Sequence, residues 1–133
     1  MKRVTGLGGL FVKCKDPEAM YGWYEKHLGI TRDQSQAVSF NWREAEEPDK
    51  TGTTVWALFP ETTKYFEPSR SPFMMNFRVE NLEQLLQALR AEGVQVDDKM
   101  ETYDYGKFGW IMDPEGNRIE LWEPPSERSS GTE

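Results

Sequence analysis

A single cysteine, Cys14, and a single histidine, His27, are all that 133 residues supply of either type. One thiol forms no internal disulfide, and one thiol with one imidazole cannot make a structural zinc cluster, so neither device is expected to hold the fold. Long apolar runs are missing too. No stretch approaches the roughly 18 consecutive apolar residues of a membrane span, and Met1-Lys2-Arg3 leads into the glycine-broken segment Val4–Leu10 rather than a signal core. Positive charge is in deficit, with 16 Lys+Arg against 23 Asp+Glu and a formal charge of −7, a balance that opposes phosphate backbones and anionic lipid heads. The expectation is a cytoplasmic protein with no nucleic-acid and no membrane partner.

What the chain does have is a repeated order of elements. Leu7–Cys14 divides by period two into Leu10, Val12 and Cys14 on one face and Gly9, Phe11 and Lys13 on the other, the pattern of a strand. Asp16-Pro17-Glu18 supplies an N-cap, a proline at the first helical position and an acid in the first turn, and Gly29 supplies a stop, so residues 17–28 are predicted helical. Ala37–Arg43 and Thr53–Phe59 follow as strands about an exposed loop, Glu44–Lys50, with a short strand expected at Ile30–Arg32. Pro60, Pro68 and Pro72 then bracket a connection without sustained period.

The order returns after that connection. Phe73–Val79 places Met75, Phe77 and Val79 on one face and Met74, Asn76 and Arg78 on the other. Asn81 with Gln84 opens a second helix that carries Leu82, Leu85, Leu86 and Leu89 at helical spacing and stops at Gly93. Strands are predicted at Val94–Tyr103, Lys107–Met112 and Arg118–Trp122, the last two joined by the turn Asp113-Pro114-Glu115-Gly116-Asn117. Asp16 corresponds to Asn81 and Gly29 to Gly93 at almost the same offset, so the chain reads as one α+β domain over residues 1–125, built from two βαβββ modules at about 5–60 and 72–124. A polar tail expected to be flexible, 126–133, follows.

Three stretches, Lys15-Asp16-Pro17, Trp23-Tyr24 before Leu28-Gly29, and above all the run from Asp113 to Pro124, resemble the vicinal oxygen chelate superfamily. That group contains glyoxalase I, extradiol dioxygenases, fosfomycin-modifying enzymes and bleomycin-binding resistance proteins. The resemblance implies two modules whose mixed sheets curl into a central cup, often completed or exchanged across a homodimer. It also implies a divalent metal held by His, Glu or Gln from inward-facing strand positions, two in each module. Carried over position by position, these fall on Gly9, on Ala57 or Trp56, on Met74 and on Glu120, of which only Glu120 keeps a ligand side chain. One carboxylate does not satisfy a site that needs about three protein ligands, so no resident metal or other cofactor is expected.

With strict alternation, Gly9, Phe11, Lys13, Met74, Asn76, Arg78, Glu120 and Trp122 face the cup, an apolar surface with a few polar groups suited to a small organic ligand. Glu120 is the candidate catalytic residue. It would accept a hydrogen bond from a ligand, serve as a general base, or pair with Arg78 or Lys13 in a structural salt bridge. Trp56, Trp110 and Trp122 lie on strands near the cup, and one of them is expected to stack on the ligand. Tyr103, Asp104 and Tyr105 precede Gly106, a turn whose tyrosines would close over the pocket or stand as a plain surface hairpin. His27 belongs to a helix end and Cys14 to the core. Three functions remain open: a metal-free protein enclosing a hydrophobic or aromatic molecule, a metal-independent lyase or isomerase with Glu120 as base, and a metal-dependent lyase or dioxygenase.

Overall fold

A computed structural model describes residues 2–125, so the tail expected at 126–133 lies outside the described residues. The elements run β1 (Val4–Cys14), α1 (Pro17–Leu28), β2 (Val38–Arg43), β3 (Thr51–Pro60), β4 (Phe73–Val79), α2 (Leu82–Ala91), β5 (Val96–Tyr103), β6 (Gly106–Met112) and β7 (Arg118–Glu123). Both helices start as the sequence predicts. Asp16 accepts the Ala19 N–H at 3.1 Å and Asn81 accepts the Gln84 N–H at 3.1 Å, each satisfying a donor that has no partner inside its helix. At the other end of α1, Gly29 adopts φ 70°, a left-handed turn that glycine enters without steric penalty.

Seven strands form one curled, unclosed sheet in the order β2-β3-β1-β4-β7-β6-β5. The duplication is visible in its pairing. In each module the last strand lies parallel to the first, β3 beside β1 and β7 beside β4, and the modules join where β1 and β4 run antiparallel. They are unequal, however: the first contributes three strands and the second four, because no strand forms at Ile30–Arg32.

Both helices cover the same face of the sheet. The leucine stripe of α2, with Leu82, Leu85 and Leu86 buried, packs with Val79 and Leu121, and Phe77, Ile111 and Ile119 surround them. Burial of each such leucine contributes about 1.5–3 kcal/mol relative to exposure. A second cluster forms under α1 from Tyr21, Val38 and Leu58, with Val12, Cys14 and Trp56 against it. Because side chains alternate along a strand, the neighbours of these residues, among them Phe11, Val55, Asn76 and Glu120, project from the opposite, concave face. The connection between modules packs across one end of that face: Phe66 is fully buried there, its ring 5.3 Å from that of Phe59.

Candidate functional site

Pairing across the two central strands of the second module sets the floor of the concave face. Asn76 on β4 stands opposite Glu120 on β7, which stands opposite Trp110 on β6. On the other side of Asn76, the β1–β4 register shifts between Leu7 and Gly9, an irregularity that brings Gly8 against this row. A Cβ at Gly8 would fall 2.1 Å from Asn76 Oδ1, so the approach of the two strands requires glycine there.

Glu120 is only 2% exposed, and all its contacts are with neutral donors. Asn76 Nδ2 donates to Oε1 at 2.6 Å, while Trp110 Nε1, at 3.1 Å, and the Tyr65 hydroxyl donate to Oε2. Burial pushes the carboxyl pKa above its ordinary 4.5; the bonds from Tyr65, Asn76 and Trp110 and the charge of Arg118 pull it back in part. The Tyr65 hydroxyl is itself driven upward, first by burial and then by the adjacent Glu120. The salt bridge considered for Glu120 does not form. Lys13 places Nζ 5.3 Å from the Phe66 ring centroid, and Arg78 carries its guanidinium to the rings of Trp42 and Trp122, 5.5 and 5.2 Å from their centroids.

Above this floor lies a hollow of about 590 Å³. Phe11, Val55, Phe108, Tyr105 and Trp122 form its walls, and Asp33 and Ser35, from the segment leading into β2, border it with Ser39 of β2. Phe108 and Trp122 lie nearly parallel, 5° apart with centroids at 6.0 Å, and Trp122 is fixed by donating its Nε1–H to the Tyr105 carbonyl at 2.7 Å. Asp33 is anchored by the Ser35 hydroxyl at 2.5 Å, the Ser39 hydroxyl at 2.6 Å and the Ser35 N–H at 2.8 Å, bonds that in that order hold its pKa below the usual value.

Of the residues expected in the cup, Phe11, Asn76, Tyr105, Glu120 and Trp122 line the hollow. Trp110 lies buried behind Glu120, and Met74, opposite Phe11 in the β1–β4 register, is fully buried. Trp56 turns the other way: it packs edge-on against Tyr21 and Tyr24 of α1, at 5.9 and 4.7 Å, because even-numbered positions of β3 face the helix. The side-chain positions that approach each other at the floor are Gly8 and Asn76, beside the register shift between Leu7 and Gly9. Tyr65 and Asp33 are among the residues sequence reasoning missed; both sit in aperiodic connections, where no period reveals a direction. His27 stacks on Trp23 at 4.8 Å on α1, and Cys14 packs beneath α1, its thiol pKa raised mainly by burial.

The residues at the floor do not fit the divalent metal that the resemblance implies. Gly8 offers no side chain, Val55 is a hydrocarbon, and N–H and O–H groups occupy the Glu120 oxygens where a cation would bind. Among the described residues no group of three His, Cys, Asp or Glu side chains comes together.

Solved structures share this architecture. Methylmalonyl-CoA epimerase from Streptomyces coelicolor, in complex with 2-nitronate-propionyl-CoA, superposes with a TM-score of 0.67 at 15% identity, over 92% of this chain and 99% of that one. The Mycobacterium tuberculosis methylmalonyl-CoA epimerase gives 0.59 at 19% identity, over 98% and 95% of the two chains. The 2,3-dioxygenase LapB from a Pseudomonas species gives 0.58 at 21% identity over 95% of this chain and 43% of that one. These likenesses establish the fold alone. No curated protein is significantly similar in sequence. The model of the Glyoxalase/Bleomycin resistance protein/Dioxygenase superfamily matches residues 6–121, nearly the whole of the paired modules, and the chain belongs to that superfamily.

Proposed function

We propose that the protein binds a small, largely apolar or aromatic molecule in the concave hollow, with no metal ion taking part. The observation that carries this reading is the composition of the hollow: aromatic walls from Phe11, Phe108, Tyr105 and Trp122 over a floor whose one buried acid is already held by three donors. Apolar walls supply burial, and a few fixed polar groups set orientation. A volume of about 590 Å³ suits a ligand of one or two fused rings with substituents. The epimerase complex with 2-nitronate-propionyl-CoA supports the reading only in that the same fold can enclose part of an organic molecule. The protein is proposed to act as a cytoplasmic homodimer, in keeping with the family resemblance, and light scattering of the purified chain tests the oligomer.

The direct test is a fragment screen by protein-observed NMR, with intrinsic tryptophan fluorescence as a second readout. Aromatic fragments should shift resonances of the hollow, and Trp122→Phe should remove most of the fluorescence response. A library that perturbs no residue of the hollow, or only surface residues elsewhere, refutes the proposal.

One observation favours a second reading, a metal-independent lyase or isomerase. The raised pKa of Glu120 moves it toward the range useful to a general base. Against it, both carboxylate oxygens are engaged, so a substrate must displace a donor before a proton can be taken. Under that reading Glu120→Gln abolishes turnover and leaves binding largely intact; loss of both, or of neither, removes the base assignment.

A further inference from the structure

We infer that the molecule held in the hollow carries a positive charge, as an aromatic amine does; this rests on the binding role proposed above and narrows it to a ligand class. Among the described residues, Glu120 and Asp33 are the carboxylates of the lining, one buried at the floor and one at the border, and no lysine or arginine lines the hollow. The border acid is fixed in position by Ser35 and Ser39. A further negative pole points the same way. Asn76, 2% exposed at the floor, gives its N–H to Glu120, which leaves its Oδ1 buried with no hydrogen-bond partner. Two carboxylates and an unpaired carbonyl give the described lining of this aromatic enclosure a negative potential.

The neighbouring cations are directed elsewhere. The Arg78 stem passes Gly8, but its guanidinium lies against Trp42 and Trp122 and toward the Thr51 carbonyl. Arg118, on the far side of Glu120, donates to the Tyr65 carbonyl at 2.6 Å and faces Asp97 at 3.6 Å. The aromatic walls add to the preference, because the negative faces of indole and phenyl rings attract ammonium groups at short range. An anionic ligand, in contrast, would be repelled by both acids, and no positively charged donor stands among the described lining residues to receive it.

The experiment titrates the full chain with three probes of one shape: 1-naphthylmethylamine, 1-naphthalenemethanol and 1-naphthoate, followed by calorimetry and NMR. The amine is expected to bind at least about tenfold tighter than the alcohol, a difference of about 1.4 kcal/mol, with the carboxylate weakest. Asp33→Asn, a change at the exposed border, should cut the ratio of amine to alcohol affinity severalfold. This control separates the hollow from the general attraction of a chain of charge −7 for cations. Equal affinity of amine and alcohol, tighter binding of the carboxylate, or an amine advantage untouched by both Asp33→Asn and Glu120→Gln overturns the charge inference while the binding role stands. Failure of all three probes to bind overturns both.

Discussion

Replacing Tyr65 by phenylalanine isolates one bond of the buried floor. The ring stays where it is: it lies parallel to Phe59, 2° apart with centroids at 5.9 Å, and the Arg118 guanidinium packs 5.7 Å from its centre, contacts that phenylalanine retains. Only the hydroxyl that donates to Glu120 is removed. A hydrogen bond to a charged group contributes about 1.5–3 kcal/mol, and because Tyr65 is partly exposed, water can replace some of it, which puts the expected loss near the lower end, about 1.5–2 kcal/mol. Urea unfolding at neutral pH should show this as a lower midpoint with an unchanged slope. The pH dependence has a definite sign. Tyr65 stabilises the charged form of Glu120, so the variant raises further a pKa that burial already holds above 4.5. The loss is therefore complete at pH values above both folded-state pKa values of Glu120, in variant and parent, and shrinks as the pH falls through them, where the carboxyl is protonated in both proteins. A variant as stable as the parent at neutral pH, or a loss that stays constant down through the acid range, would refute the claim that Tyr65 supports a buried carboxylate.

Gly8→Ala places a methyl 2.1 Å from Asn76 Oδ1 and 3.0 Å from Arg78 Cγ, so the strands must part or Asn76 must move; urea unfolding is expected to show a loss of about 1–3 kcal/mol, and an unchanged midpoint counts against the close approach. Asn81→Ala removes the acceptor for the Gln84 N–H at the start of α2 and should cost about 1 kcal/mol in the same assay. Protein purified without chelator, then incubated with Zn, Ni, Mn or Fe(II), should contain no stoichiometric metal by elemental analysis and gain less than about 1 °C in thermal midpoint. Near one metal per chain would mean that the floor rearranges to free Glu120 and would restore a metal-dependent reaction.

Local chemistry made much of this architecture readable. The caps Asp16 and Asn81, the stops at Gly29 and Gly93 and the leucine stripe of α2 each act within a few residues of the chain, and each appears where the pattern put it. Alternation likewise assigned Phe11, Asn76, Glu120 and Trp122 to the concave side. Alternation fails wherever a strand slips. The register shifts between Leu7 and Gly9, and the Gly8-Gly9 pair is its visible sign in the sequence, since glycine inside a strand often marks a bulge. Trp56 was misjudged because a large aromatic residue suits either face, and only its pairing opposite Leu10 settles that it belongs under α1. Tyr65 was illegible for a different reason. Its partner is Glu120, far along the chain, and a segment without regular structure carries no direction to read. The unequal strand count was hidden as well, because Ile30–Arg32 has strand-like composition yet forms no strand.

The order of strands also bears on how the chain reaches its native state. Each module closes on itself, its last strand returning beside its first, whereas the seam between β1 and β4 joins segments separated by a whole module. Contacts between distant segments form late, because loop closure must precede any gain from them. The two halves can thus assemble before they meet, and the close approach of Gly8 to the Asn76 side chain lies at the seam itself. Two half-built modules expose β1 and β4 as bare edges until that moment, unpaired backbone groups that closure of the seam then satisfies.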